Sequence, residues 1–377
     1  MTTRLIGIVT AAVLVFSDPV LSQALNLSAE QILQNHHECP ANFRARTSSA
    51  PVLGYVTPWN SKGYEIAERL SAKFTHIAPV WLQLRWDIAA ATFTVAGQHD
   101  IDAGWMAKVT KQQALGSTGV KVVPRILFEL DQSGLLQLLS QPLDVADLLV
   151  TLCKKYGFDG LVVETWSQWA ASGRLQHASF RQQAVQALRG LAEALHKPTD
   201  SSRMELILAV PPFEAADQGP VLAMPDFEEL RAFVDFFSLM TYDASSTSKP
   251  GPNAPWKWVK SNAHAVASTA VNRQSARPEQ VLLGLNFYGN DYFQPFGGGP
   301  IIGHEYLGLL KTHDPVVRWD QKTKEHVFDY AAGNEAHEVY YPTKASIQKS
   351  LVLAHKYGLG ISIWEIGQGL DHFYDLL

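Results

Sequence analysis

Cysteine is almost absent from this sequence: Cys39 and Cys153 are the only two in 377 residues. That excludes a disulfide-dense scaffold and a four-cysteine zinc site. At most one bridge can form, and the sequence does not decide whether it does. Charge is sparse too, at 18% of residues with a net of −5 and no basic block. This argues against a nucleic-acid groove and against attraction to acidic membranes. No apolar run reaches the ~20 residues of a membrane span; the longest, Leu5 to Phe16, has twelve. No repeat or low-complexity tract occurs. No group of His, Cys and carboxylate has metal-ligand spacing, so neither metal nor cofactor is expected. The run Gly297-Gly298-Gly299 follows a strand but lacks the helix start that an anion site needs.

What is present begins with an address. Arg4, the twelve-residue apolar run and the small residues before Gln23 read as a signal peptide over residues 1–22. Residues 23–50 are polar and irregular and read as a short lead-in. There the sequon Asn26-Leu27-Ser28 offers Asn26 for glycosylation. The C-terminus Tyr374-Asp375-Leu376-Leu377 carries no retention tetrapeptide. The expectation is a secreted and/or lysosomal protein.

From Pro51 the chain alternates. β-rich apolar runs occur at residues 52–56, 74–82, 120–128, 160–164, 206–210, 236–242, 281–288 and 360–364. Several are apolar on consecutive residues, as in strands covered on both faces. Helix-period segments at 143–156, 179–195 and 344–357 lie between them. Eight strands with intervening helices predict an α/β fold, a (β/α)8 TIM barrel over residues 51–377. A doubly wound sheet would show a glycine-rich turn after its first strand, where this chain has Thr57-Pro58-Trp59-Asn60-Ser61. Between Tyr288 and Gly360 the gap exceeds a plain crossover. Short strand-like pieces there predict a small α+β insertion between strands 7 and 8, over about residues 301–341.

In such barrels chemistry sits where the strands stop. The residues there are aromatic and acidic: Trp59, Trp81, Glu129, Glu164, Trp166, Phe213, Tyr242, Asp243, Tyr288, Trp364 and Glu365. Aromatic faces stack on sugar rings and carboxylates bind hydroxyls, so a carbohydrate cleft is expected.

Four motifs sharpen this. Tyr156-Gly157-Phe158-Asp159-Gly160-Leu161-Val162-Val163-Glu164-Thr165-Trp166 resembles the fourth strand of glycoside hydrolase family 18, whose pattern is D-x-x-D-x-D-x-E. Met240-Thr241-Tyr242-Asp243 resembles that family's M-x-Y-D, Gly284 to Gly289 resembles its strand-seven motif, and Trp364 matches the Trp ending strand eight. The ending from Ile361 to Asp371 is similar to that of a chitinase-like group whose animal members interact with stabilin-1. The resemblance spans residues 51–377. It implies ligand contacts at Tyr55, Met240, Tyr242, Asp243, Asn286, Tyr288 and Trp364, with chitooligosaccharides or other N-acetylated glycans as partners. It also implies a stabilin-1-type receptor for animal members.

The departure from the pattern decides the expected function. Aligned on Asp159, the family's second Asp falls on Val162, its third on Glu164 and its catalytic Glu on Trp166. An indole has an N–H donor only and is no acid at physiological pH. Glu164 starts roughly 6.6 Å deeper along the strand, too far for a general acid that must come within about 3 Å. The expectation is a chitinase-like lectin that binds N-acetylglucosamine-containing oligosaccharides without efficient hydrolysis. A divergent hydrolase using Glu164, Glu129 or Asp243, or a receptor-binding scaffold, are the alternatives. Trp166 itself reads as a stacking platform, a plug or a rim aromatic.

Overall fold

The structure, a computed structural model, describes residues 26–37, 46, 48–111, 119–197, 203–213, 222–271, 277–293, 295 and 297–377. The predicted signal peptide and Cys39 lie outside the described residues. Helix α1 (Ala29–Asn35) starts at Ser28, whose hydroxyl accepts the Gln31 N–H. Asn26, two residues earlier, is exposed.

Strands β1 (Val52–Val56), β2 (His76–Pro79), β3 (Leu82–Asp87), β5 (Lys121–Val122), β6 (Arg125–Phe128), β7 (Gly160–Glu164), β8 (Glu205–Val210), β9 (Phe236–Leu239), β10 (Val281–Asn286) and β16 (Gly360–Trp364) form the barrel. They make eight parallel staves, because β2 with β3 is one stave and β5 with β6 another. The ring closes where β16 pairs with both β10 and β1. Stave three divides at Val123-Pro124, where proline has no N–H to give the ladder. Stave two continues above the rim as a hairpin, with β3 pairing antiparallel to β4 (Thr92–Ala96).

Helices α2 (Ser61–Arg69), α3 (Ala103–Lys111), α4 (Gln132–Ser140), α5 (Pro142–Tyr156), α6 (Trp166–Ala171), α7 (Ala178–His196), α8 (Met224–Leu230), α9 (Trp256–Val271), α10 (Gly303–His313) and α11 (Lys344–Tyr357) complete the list. All but α10 lie between barrel staves. Their limits follow local chemistry. Asp131 caps α4 by accepting the Gly134 N–H, Pro142 opens α5, and left-handed Gly157 ends it.

Two apolar layers result. Leu53, Tyr55, Ala78, Val80, Val123, Val162, Ile207, Ala209 and Leu282 fill the interior, with Phe236 and Trp364 against them. A larger core lies between sheet and helices. At the closed lower end His76 Nε2 meets Glu205 Oε2 at 2.9 Å, Lys121 pairs with the other oxygen of Glu205, and Asp159 accepts the Val122 N–H at 2.8 Å. Burial alone would raise the Glu205 carboxyl, but His76 and Lys121 outweigh it and hold it low. Asp159, first of the motif's acids, is thus part of the barrel's base.

The insertion is a five-stranded antiparallel sheet with α10: β11 (Gly289–Phe293), β12 (Gly297–Ile301), β13 (Arg318–Asp320), β14 (Glu325–Ala332) and β15 (Glu335–Tyr341). It begins at Gly289 rather than near 301, because the stretch after Tyr288 pairs with β12 and β15 instead of forming a loop. The triple glycine is the edge strand β12.

Candidate functional site

Side chains alternate along a stave, so the interior set fixes which strand-end residues face the mouth. Val162 is interior, and so is Glu164 two residues on. Glu164 accepts two N–H bonds on Oε2 from Arg125, at 2.8 Å from Nε and 2.7 Å from Nη2. Both partners are mostly buried. Arg125 follows the proline break in stave three and was not singled out by sequence reasoning. Its position at the head of a four-residue apolar strand is the only signal.

Around this pair stand Tyr55 and Trp364, with ring centroids 5.2 Å apart. Beneath them the Tyr55 hydroxyl donates to Ser238 (2.9 Å), which donates to Ser362 (3.1 Å). Stave six ends at Leu239 in a tight turn centred on Met240, closed by the Thr241 N–H on the Leu239 carbonyl at 2.9 Å, after which Tyr242 faces Tyr55 and Tyr288. Asp243 follows in a left-handed backbone conformation, φ 59°. It accepts the Tyr288 hydroxyl, and its N–H donates to Asn253 Oδ1 at 2.6 Å. Burial raises the Asp243 carboxyl, opposed by the Tyr288 bond. Asn286 is buried at the end of stave seven and donates to the Tyr288 carbonyl at 2.8 Å. Burial likewise raises the hydroxyls of Tyr55, Tyr242 and Tyr288. Trp59 projects from the loop after β1, 71% exposed.

Four predicted site residues fall elsewhere. Trp166 is 0% exposed and lies in the core between sheet and helices, 6.2 Å from Trp169. The backbone leaves the strand at Thr165 (φ −152°, ψ −31°) and α6 begins at Trp166, so this side chain abandons the inward register. It is neither platform nor rim aromatic, and it is absent from the interior stack. Trp81 is also fully buried. Its Nε1 donates to the Tyr64 hydroxyl at 2.7 Å, and its ring packs on Trp105 and Phe158. Phe213 is buried edge-on to Phe227 at 5.2 Å, because Pro211-Pro212 breaks the alternation. Glu129 stands above the rim, bound by Arg85 of the hairpin at 2.8 and 3.0 Å.

The loops around the mouth are tied to the insertion. Glu325 accepts the Ala254 N–H at 2.9 Å, and the Tyr341 hydroxyl bonds the carbonyls of Phe287 and Gln368 at 3.1 and 2.7 Å. Burial pushes the Glu325 carboxyl up to about 7. Among the described residues, no three His, Cys, Asp or Glu are placed to hold a metal ion.

The family description "Glycosyl hydrolases family 18" matches residues 51–369. The chain belongs to this family. Solved chitinase structures superpose on it. A chitinase from Chromobacterium violaceum gives a TM-score of 0.70 at 21% identity, over 87% of this chain and 98% of that one. A Cycas revoluta chitinase solved with (GlcNAc)3 gives 0.68 at 16% identity, over 86% and 98%. In sequence, the cortical fragment-lytic enzyme of Bacillus anthracis is 27% identical over 179 residues, 45% of this chain. That match spans 40% of the relative's own length. Stave four ends at Glu164, and two residues on the indole of Trp166 is buried between sheet and helices.

Proposed function

We propose that this family 18 barrel is a chitinase-like lectin that binds N-acetylglucosamine-containing oligosaccharides without hydrolysing them efficiently. One observation carries the reading. The stave that should present a proton donor presents Glu164, engaged by Arg125, and then turns its next inward position, Trp166, into the core. An aromatic and hydroxyl-rich floor remains at Tyr55, Tyr242, Tyr288 and Trp364. General acid catalysis contributes roughly 10²–10⁴-fold, so its loss leaves binding as the main activity. The cleft chemistry suits the sugars held by the Cycas chitinase. Secretion or lysosomal delivery through residues 1–22, and a stabilin-1-type receptor in an animal source, belong to the same reading.

The test is a tryptophan-fluorescence titration with chitotetraose beside chromatography of the products. Saturable quenching with intact tetramer is expected. Quenching absent in the wild type would defeat the lectin reading.

A second reading is favoured by Asp243, a carboxyl at the mouth whose proton burial helps to retain. It makes the chain a divergent hydrolase, and the cortical fragment-lytic relatives make spore-cortex fragments its second substrate class. Product release lost in Asp243→Asn but kept in Glu164→Gln would favour it.

A further inference from the structure

Glu365 follows the floor tryptophan and is 0% exposed. Glu365 lies just past the end of β16, and its contacts place its carboxylate against the start of α2. There one oxygen accepts the side-chain N–H of Asn60, and the other accepts the Gly367 N–H at 2.9 Å. Asn60 is the residue before α2, where an asparagine oxygen ordinarily caps the helix. Here it makes no such bond; its amide serves Glu365 instead. The packing leaves no slack: a Cβ on Gly367 would stand 2.4 Å from the Gly63 N, and one on Gly63 would stand 3.0 Å from Glu365 Oε2. Asn60 adjoins Trp59, and Ile366 N–H bonds the Tyr55 carbonyl at 3.0 Å. One carboxylate therefore joins the loop carrying the exposed Trp59 to the strand end carrying the partly buried Trp364.

We propose that Glu365 is the positioning residue of the cleft, fixing Trp59 relative to Trp364, and that glycan affinity depends on its charge. The inference rests on the lectin reading for its ligand and deepens that reading. An ionised carboxylate accepts both N–H bonds as charge-assisted bonds. Protonated, it gives up that charge and with it the charge assistance to both bonds. Burial, against the Gly367 and Asn60 bonds, pushes the carboxyl up to about 7, so the change falls between neutral and acidic media. The other groups facing it are already engaged. Lys62 pairs with Asp371 at 2.7 Å and reaches the Gly369 carbonyl. The Tyr341 and Tyr374 hydroxyls donate to backbone carbonyls.

Two readouts on the full chain test this. In the unliganded protein, hydrogen–deuterium exchange over residues 57–63, corrected for intrinsic rates, should be about tenfold faster at pH ~8 in Glu365→Gln than in wild type. Asn60→Ala, which leaves the buried carboxyl in place, should do the same if the Gln variant folds poorly. Titrated with chitotetraose, wild type should weaken about tenfold from pH ~8 to pH ~5.5, while Glu365→Gln is weak and flat across that range. Unchanged exchange in both variants, or identical pH profiles for wild type and Glu365→Gln, overturns the proposal. If wild type binds no chitotetraose at either pH, the ligand reading fails, and exchange alone judges the clamp.

Discussion

At the scale of single residues, the proposed loss of hydrolysis rests on backbone as well as side chain, since the chain leaves the strand at Thr165 and buries Trp166. Restoring the family acid by Trp166→Glu should therefore not restore cleavage. The new carboxyl would lie in the buried core, at a cost of about 3–5 kcal/mol. Urea denaturation and a chitotetraose turnover assay check both halves. Cleavage gained with stability unchanged would show that position 166 reaches the cleft. The Arg125–Glu164 pair makes a second prediction, because both groups are mostly removed from water. Either truncation to Ala should cost about 2 kcal/mol, and the double variant should cost less than the sum by at least about 1 kcal/mol. A purely additive cycle would mean that the two groups act independently.

At the scale of elements, the join between β16 and α2 is the tightest near the cleft. Gly367→Ala should cost about 1–3 kcal/mol by overpacking and loosen glycan binding with it, measured by denaturation and titration. Much at this scale was legible. Residues 52–56, 160–164 and 360–364 are strands as read, since short, mostly apolar runs edged by glycine or proline admit little else. The run at 74–82 was not one strand. Its second half, with residues to Asp87, forms a hairpin whose polar turn rests on Asp87 accepting the Ala89 and Ala90 N–H bonds, a local signal that apolar periodicity passes over. The site was less legible than the fold. Trp81 follows interior Val80 and so faces outward by plain alternation, whereas Phe213 and Trp166 leave the inward register where proline or a helix start interrupts it. Arg125 and Asn60 escaped notice because each gains its meaning from a partner far along the chain.

For the whole molecule, two buried carboxyls favour mildly acid pH, opposed in part by His372, which burial lowers to about 4. Glu325 and Glu365 are both pushed from 4.5 up to about 7 by burial. Between those values the folded chain holds more protons than the unfolded one. Their contribution is therefore full below about 4.5 and is lost as pH rises through about 7, on the order of 3 kcal/mol for each. Thermal unfolding should show a higher Tm at pH ~5 than at pH ~8, and the Glu325→Gln, Glu365→Gln double variant should flatten that slope. A Tm that climbs steadily from pH ~5 to pH ~8 would contradict this. The protonation that relieves the buried charge of Glu365 also gives up its charge-assisted bonds, so mild acid should steady the fold while slackening the cleft. The central claim is that the barrel grips N-acetylglucosamine chains and leaves them whole. Isothermal titration calorimetry with chitotetraose at neutral pH tests it most directly, since one trace reports both binding heat and turnover heat. The account predicts a saturable binding isotherm over a flat baseline; no binding heat, or sustained heat of hydrolysis at the rate of a working chitinase, would contradict it.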